Sequence, residues 1–233
     1  MRAIVLRAHG GPEVLQIEEV PDPVAGPDQI VVDIAHTALN RADTLQRMGM
    51  YNDPRNPTIE IPGLEYAGTV SAIGSDVTEW AIGDQMMGIE SGGCYAEKVV
   101  THSRQALPVP ANVDLADAAA IAEVFLTAWD ALVVQGGLTS GRWGLIHAGA
   151  SGVGTAGIQI AKAIGARIAV TCSAGKADAV TDLTRGLETN VAEDGASDLQ
   201  STGADQLTAA DLWPSAPDID IPMNTHVKEF IEL

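Results

Sequence analysis

The residues best placed to do chemistry lie in the run Leu145-Ile146-His147-Ala148-Gly149-Ala150-Ser151-Gly152-Val153-Gly154-Thr155-Ala156-Gly157. Gly152, Gly154 and Gly157 have the G-x-G-x-x-G spacing of a pyrophosphate-binding turn. In that reading Gly152 permits the tight turn and Gly154 lets backbone approach the phosphates. Gly157 lets a helix pack closely on a sheet. Free N–H groups at the helix start, with the helix dipole behind them, hold the negative charge. A purely structural strand-turn-helix would carry the same glycines. A second group follows at Thr171-Cys172-Ser173-Ala174-Gly175-Lys176, with no carboxylate before Asp178. NAD sites usually place Asp or Glu there for the ribose hydroxyls. A hydroxyl at Ser173 and an ammonium at Lys176 suit a 2′-phosphate instead, so the expected cofactor is NADPH.

These residues need elements to position them. Leu145-Ile146 reads as the end of a buried strand. Val153, Ala156, Gly157, Ile160, Ala161 and Ile164 fall on one helical face, Gly165 is the stop, and Arg167–Thr171 is the next strand. Strand, turn, helix and strand together are the context the glycine spacing requires. The first hundred residues read as β-rich, with strands predicted at Ala3–Leu6, Leu15–Val20, Gln29–Ile34, Tyr66–Val70 and Tyr95–Val100. From Asp114 the pattern becomes helical, at Asp117–Ala122 and Thr127–Leu132. The expected boundaries are a β-rich domain over 1–115, a nucleotide-binding α/β region over 116–176, and a divergent segment over 177–233.

The formal charge of −18 argues against nucleic acid and against anionic membrane surfaces. Lys98, Lys162, Lys176 and Lys228 are the only lysines, a composition shared by salt-adapted proteins and by ordinary acidic enzymes. No apolar run is long enough to span a bilayer. Cys94 and Cys172 make no disulfide framework, and the expectation is a cytoplasmic protein. His36, His102, His147 and His226 show no metal-ligand spacing and read as core or surface histidines.

Several stretches, in order, resemble one family. They are Gly10-Gly11-Pro12-Glu13-Val14-Leu15, Leu39-Asn40-Arg41-Ala42-Asp43-Thr44-Leu45-Gln46-Arg47-Met48-Gly49-Met50-Tyr51, Ile61-Pro62-Gly63-Leu64-Glu65-Tyr66-Ala67-Gly68, Gly83-Asp84 and the glycine loop. The chain resembles the zinc-independent, zeta-crystallin-like quinone oxidoreductases of the medium-chain dehydrogenase/reductase superfamily, closest to the p53-inducible quinone reductase type. The resemblance implies an α/β fold, with a GroES-like β-rich N-terminal domain followed by a shortened Rossmann-type domain. It implies NADPH-dependent reduction of a quinone, enone or other activated carbonyl compound. By the same resemblance Asn40 and Tyr51 line the substrate pocket. Thr127 lies near the nicotinamide, and Gly149, Ala150, Ser151, Gly152, Val153, Gly154, Ser173 and Lys176 hold the nucleotide. For Tyr51 the alternative is a loop tyrosine packed on Pro54, and for Thr127 an ordinary helix threonine. Asp43 and Arg47, at helical i, i+4 spacing, read as a structural ion pair.

Zinc-dependent relatives use a cysteine and a His-Glu pair where this chain has Asn40 and Leu64-Glu65. An amide and a leucine cannot replace thiolate and imidazole, so no metal is expected. The resemblance fails after Lys176. Residues 177–222 lack the Val/Ile-rich runs of buried parallel strands, and Val227–Leu233 alone again reads as a strand. A second function class therefore stays open, a non-catalytic relative that keeps partial nucleotide binding. Oligomeric state is left open.

Overall fold

A computed structural model describes residues 1–55, 57–185 and 189–194 of the chain. It divides into two compact units, Met1–Glu123 and Val124–Leu233.

In the first unit, β1 (Arg2–Leu6) and β2 (Leu15–Glu19) form an antiparallel ribbon with Ile4 opposite Ile17. The larger sheet holds β3 (Gln29–Thr37), β4 (Glu65–Ile73), β5 (Gln85–Ile89), β6 (Lys98–His102) and β7 (Leu107–Pro108), all antiparallel, in the order β6-β3-β4-β5-β7. Ile30 and Val32 of β3, Tyr66 and Val70 of β4, Met86 of β5 and Val99 of β6 pack into one core. Strand β5 is not predicted from its sequence. Gln85-Met86-Met87-Gly88-Ile89 has one β-branched residue, and becomes a strand because β4 and β7 pair on its two sides. The predicted strand at Tyr95–Val100 shifts to β6, Lys98–His102, while Ala96 makes an isolated bridge to Ala3.

Two register shifts between β3 and β4, at Val31/Val32 and at Ile34/His36, interrupt the regular ladder. The chain leaving β3 then enters the short helix α1 (Arg41–Arg47) at Asn40. Thr37, the last residue of β3, pairs with Tyr66, so Asn40 and Glu65 come close although they are far apart in sequence. Helix α2 (Leu115–Ala118) follows the sheet and buries Ala118 and Ala119 against Ala67 and Met87.

The division between units falls within helix α3 (Ala122–Trp129), which continues as a π-helical stretch over Asp130–Gln135. In the second unit, β8 (Trp143–Ile146), β9 (Arg167–Ser173) and β10 (Thr189–Asp194) form a parallel sheet in the order β10-β9-β8. Helix α4 (Gly152–Ile164) joins β8 to β9, and α5 (Ala177–Leu183) joins β9 towards β10. Both crossovers are βαβ connections, as parallel pairing requires.

Helix α4 starts where Ser151 Oγ accepts the Gly154 N–H at 3.0 Å. It stops at Gly165, whose φ of 72° is a left-handed cap. The predicted face omits Ile158, which is fully buried. Two faces of the helix are covered, Ile158 and Ala161 with Ile168 and Val170 of β9, and Ala156 and Ile160 with Ala128 of α3. The predicted stripe holds Ala156 and Ile160 but misses Ile158 on the face against β9.

Between Lys176 and Val227 the sequence predicts no element, and here the structure corrects it. Ala177, Val180 and Leu183 fall at three-residue spacing on α5, and Val180 is buried. Strand β10 then pairs with β9 in parallel, Thr189 opposite Ile168 through Asp194 opposite Ser173. Pairing with an apolar neighbour strand overrides weak local propensity. The predicted strand at Val227–Leu233 lies outside the described residues.

Candidate functional site

The glycine loop forms a turn of defined geometry. After β8, Ala148 takes the left-handed conformation at φ 52°, and Ser151 N–H donates to Ala148 O at 2.8 Å. Gly149 N–H donates to Thr171 O at 2.8 Å, tying the turn to β9. The glycine roles differ from the sequence expectation. Gly152 does not make the turn; it is the first residue of α4, and a Cβ there would meet only Val124 Cγ1, at 3.0 Å. The tight positions are Gly149, where a Cβ would fall 2.0 Å from Val170 Cγ1, and Gly154, 2.5 Å from Ala148 O. Gly157 has the packing role expected of it, since a Cβ there would meet Leu132 Cδ1 at 3.0 Å and Ile146 Cδ1 at 3.3 Å.

In the first turn of α4, Gly154 N–H goes to Ser151 Oγ and Thr155 N–H to Ser151 O. The N–H groups of Gly152 and Val153 remain available at the positive end of a thirteen-residue helix. Ala150, Ser151, Gly152 and Val153 thus carry no side chain larger than valine beside these N–H groups. Such a turn fits a phosphate group. At the C-terminal end of β9, Ser173 and Lys176 are exposed, and the intervening Ala174–Lys176 is a single 3-10 turn. Thr127 is half-buried near the end of α3.

In the first unit, Asn40 and Tyr51 bracket α1. The Asn40 N–H donates to Asp43 Oδ2 at 2.7 Å, and Asn40 Nδ2 donates to Glu65 Oε1 at 2.8 Å. Glu65 is fully buried, and its Oε2 accepts the Glu123 N–H at 3.0 Å. The Tyr95 hydroxyl donates to Asp43 Oδ2 at 2.7 Å. The expected Asp43–Arg47 ion pair is therefore corrected. Asp43 serves Asn40 and Tyr95, and Arg47 Nε is buried without a hydrogen-bond partner. Tyr51 follows α1 and is 41% exposed. Burial first, and the Glu123 carboxyl second, push its hydroxyl pKa up, so it stays protonated as a donor.

Burial raises the pKa of Asp43, Glu65 and Glu123, against hydrogen bonds that oppose the shift at Asp43 and Glu65. Sequence reasoning singled out Asn40 and Tyr51 but missed Tyr95 and Glu123. Tyr95 lies far along the chain and Glu123 in a helix, with no local motif to mark either. Among the described residues no group of three or more His, Cys, Asp or Glu is arranged to hold a metal ion, the carboxylates here included. Two open depressions on this unit, one lined by Trp80 and Arg104 and the other by Arg55 and Ile59, include neither Asn40 nor Tyr51.

The model of the alcohol dehydrogenase GroES-like domain family matches residues 26–111. The quinone oxidoreductase of Escherichia coli, solved in complex with NADPH, superposes with a TM-score of 0.77 at 31% identity, over 85% of this chain and 60% of that one. The chain belongs to the medium-chain dehydrogenase/reductase superfamily. Other superfamily neighbours include the quinone oxidoreductase of Coxiella burnetii, at 31% identity and a TM-score of 0.74 over 82% of this chain and 61% of that one. The human synaptic vesicle membrane protein VAT-1 homolog is 32% identical over 78% of this chain and 47% of that protein. The pikromycin polyketide synthase component PikAII of Streptomyces venezuelae is 36% identical over 91% of this chain and 5% of that protein. This superfamily member thus spans less than half the length of these two curated relatives. No helix among its described residues is long and apolar enough to cross a membrane.

Proposed function

We propose that this superfamily member is an NADPH-dependent oxidoreductase acting on a quinone, or on an enone or related activated carbonyl compound, without zinc. NADPH, when bound, supplies hydride from its nicotinamide. The residues of the chain do the rest. The N–H groups of Gly152 and Val153 bind the pyrophosphate, and the narrow turn at Gly149 and Gly154 lets the backbone approach it. Lys176 and Ser173 bind the 2′-phosphate. The Tyr51 hydroxyl and the remaining N–H of Asn40 donate to the oxygen that gains charge as hydride arrives, the task a metal ion performs in zinc-dependent relatives.

The observation that carries this reading is the end of β9. Exposed Ser173 and Lys176 follow the strand that the glycine turn is tied to, and no carboxylate intervenes before Asp178. The named relatives support the substrate class, since one is a quinone oxidoreductase bound to NADPH and another an enoyl reductase, CurK. Both names describe reduction of conjugated acceptors.

Calorimetric titration with NADPH, NADH and 2′,5′-ADP, beside a turnover assay with a para-quinone, tests the reading. NADPH should bind at least about tenfold more tightly than NADH, and Lys176→Ala should remove most of that preference. Equal affinity for NADH, or an unchanged preference in Lys176→Ala, overturns it. The non-catalytic alternative is favoured by the divergence of residues 177–222, which lack the Val/Ile-rich runs of buried parallel strands. It gives similar affinities for NADPH and 2′,5′-ADP and no turnover.

A further inference from the structure

The superfamily reading gives Asn40 a place beside the substrate but leaves the carboxylate behind it without a task. Glu65 opens β4, and its backbone carbonyl accepts the Thr37 hydroxyl at 2.6 Å, which fixes where its side chain starts. Both carboxylate oxygens are in use, Oε1 on Asn40 Nδ2 at 2.8 Å and Oε2 on Glu123 N–H at 3.0 Å. Asn40 is held a second time through its backbone N–H, which donates to Asp43 Oδ2 at 2.7 Å. Asp43 is itself steadied by the Tyr95 hydroxyl at 2.7 Å. The backbone of Asn40 is thus set by one carboxylate and its side chain by another.

A primary amide has two ends of nearly the same shape and opposite polarity, and packing alone cannot choose between them. A carboxylate can, because it accepts from the –NH₂ end and repels the carbonyl end. We infer that Glu65 is a positioning residue that fixes the orientation of the Asn40 amide, so that its –NH₂ end always lies at Glu65, its carbonyl oxygen faces the start of α1, and its second N–H is left for the substrate. The consequence for substrate rests on the proposed function above. A fixed N–H donor suits a quinone carbonyl, whose oxygen accepts a hydrogen bond and gains charge as it is reduced.

The rival explanation is that Glu65 only braces α1 and α3 through its two hydrogen bonds. Two measurements on the full chain separate these roles. The first follows the Asn40 side-chain amide by NMR in the absence of any ligand, its resonance pair identified as the one missing in Asn40→Ala. Glu65→Gln keeps shape but replaces one acceptor oxygen by a donor. The Asn40 pair should then shift and exchange with water about tenfold faster. Glu65→Asp, whose carboxylate is one methylene too short, should do the same and serves if Glu65→Gln does not fold. An unmoved resonance pair in a folded variant overturns the proposal.

The second measurement is a double-mutant cycle on the affinity for menadione, a para-quinone, read by fluorescence quenching. Glu65→Gln should weaken binding about tenfold in the parent chain and have little effect in the Asn40→Ala background. The same loss in both backgrounds means that Glu65 acts independently of Asn40, and the proposal fails. Unchanged affinity in Asn40→Ala alone sinks the substrate role of Asn40, while the resonance pair still decides whether Glu65 orients the amide.

Discussion

A pattern of three glycines conceals three different physical tasks, and the structure assigns them differently from the spacing. At Gly154 an added methyl group would lie 2.5 Å from Ala148 O, a backbone atom that cannot rotate away. At Gly152 it would meet a valine methyl group at 3.0 Å, which can give, and alanine is the better helix former there. Gly154→Ala should therefore destabilise the chain by about 1–3 kcal/mol, whereas Gly152→Ala should change stability by less than about 1 kcal/mol. Urea midpoints for the two variants check this, and equal losses would return the turn-making role to Gly152. The spacing was legible because glycine type and interval survive in any register. Which glycine is tight was not, because it depends on Val170 and Ala148, whose approach is set by the path of β9 and by the left-handed residue before the turn. The same holds for the acidic cluster. Asn40 was visible through its neighbours in sequence, but its true partner Glu65 lies 25 residues away and is brought in by a β3–β4 pairing.

At the scale of elements, strongly periodic segments were readable and pair-dependent ones were not. Helix α4 carries its own start and stop, Ser151 and Gly165, and both occupy the cap positions their types suggest. Strands β5 and β10 have no such internal signal and exist through their partners. The caps give a direct test. Ser151→Ala removes the acceptor for Gly154 N–H and should lose about 1 kcal/mol. Gly165→Ala forces a Cβ into a left-handed cap at φ 72° and should lose about 1–2 kcal/mol. Since β9 follows the Gly165 cap at once, hydrogen exchange should show both losses along α4, with the sheet of the first unit unaffected. Exchange in β3 and β4 that accelerates equally would mean that the cap effects are not local to α4.

For the whole molecule the dominant physical fact is excess negative charge, and part of it is buried. Asp43, Glu65, Glu90 and Glu123 have pKa values raised chiefly by burial. They bind protons more tightly folded than unfolded, so their contribution is complete below the ordinary carboxylate pKa of about 4 and is lost as pH rises through the raised values. Glu18, Asp22, Asp33, Asp53, Glu79 and Glu97 are shifted down, most of them by hydrogen bonds from cationic partners. Their contribution is present above about 4 and is lost as pH falls through the lowered values. The two sets therefore meet in a stability maximum at mildly acidic pH. Self-repulsion from the formal charge of −18 steepens the loss on the neutral side. Urea midpoints should rise as pH is lowered from about 8 to about 5 and fall again below about 4. High salt separates the two causes, because it screens surface repulsion but hardly touches buried groups. The slope that survives in salt should be shallower in Glu123→Gln, which has no carboxyl to bury. A slope that salt abolishes entirely would mean that the buried carboxyls contribute nothing and that surface charge alone sets the pH response.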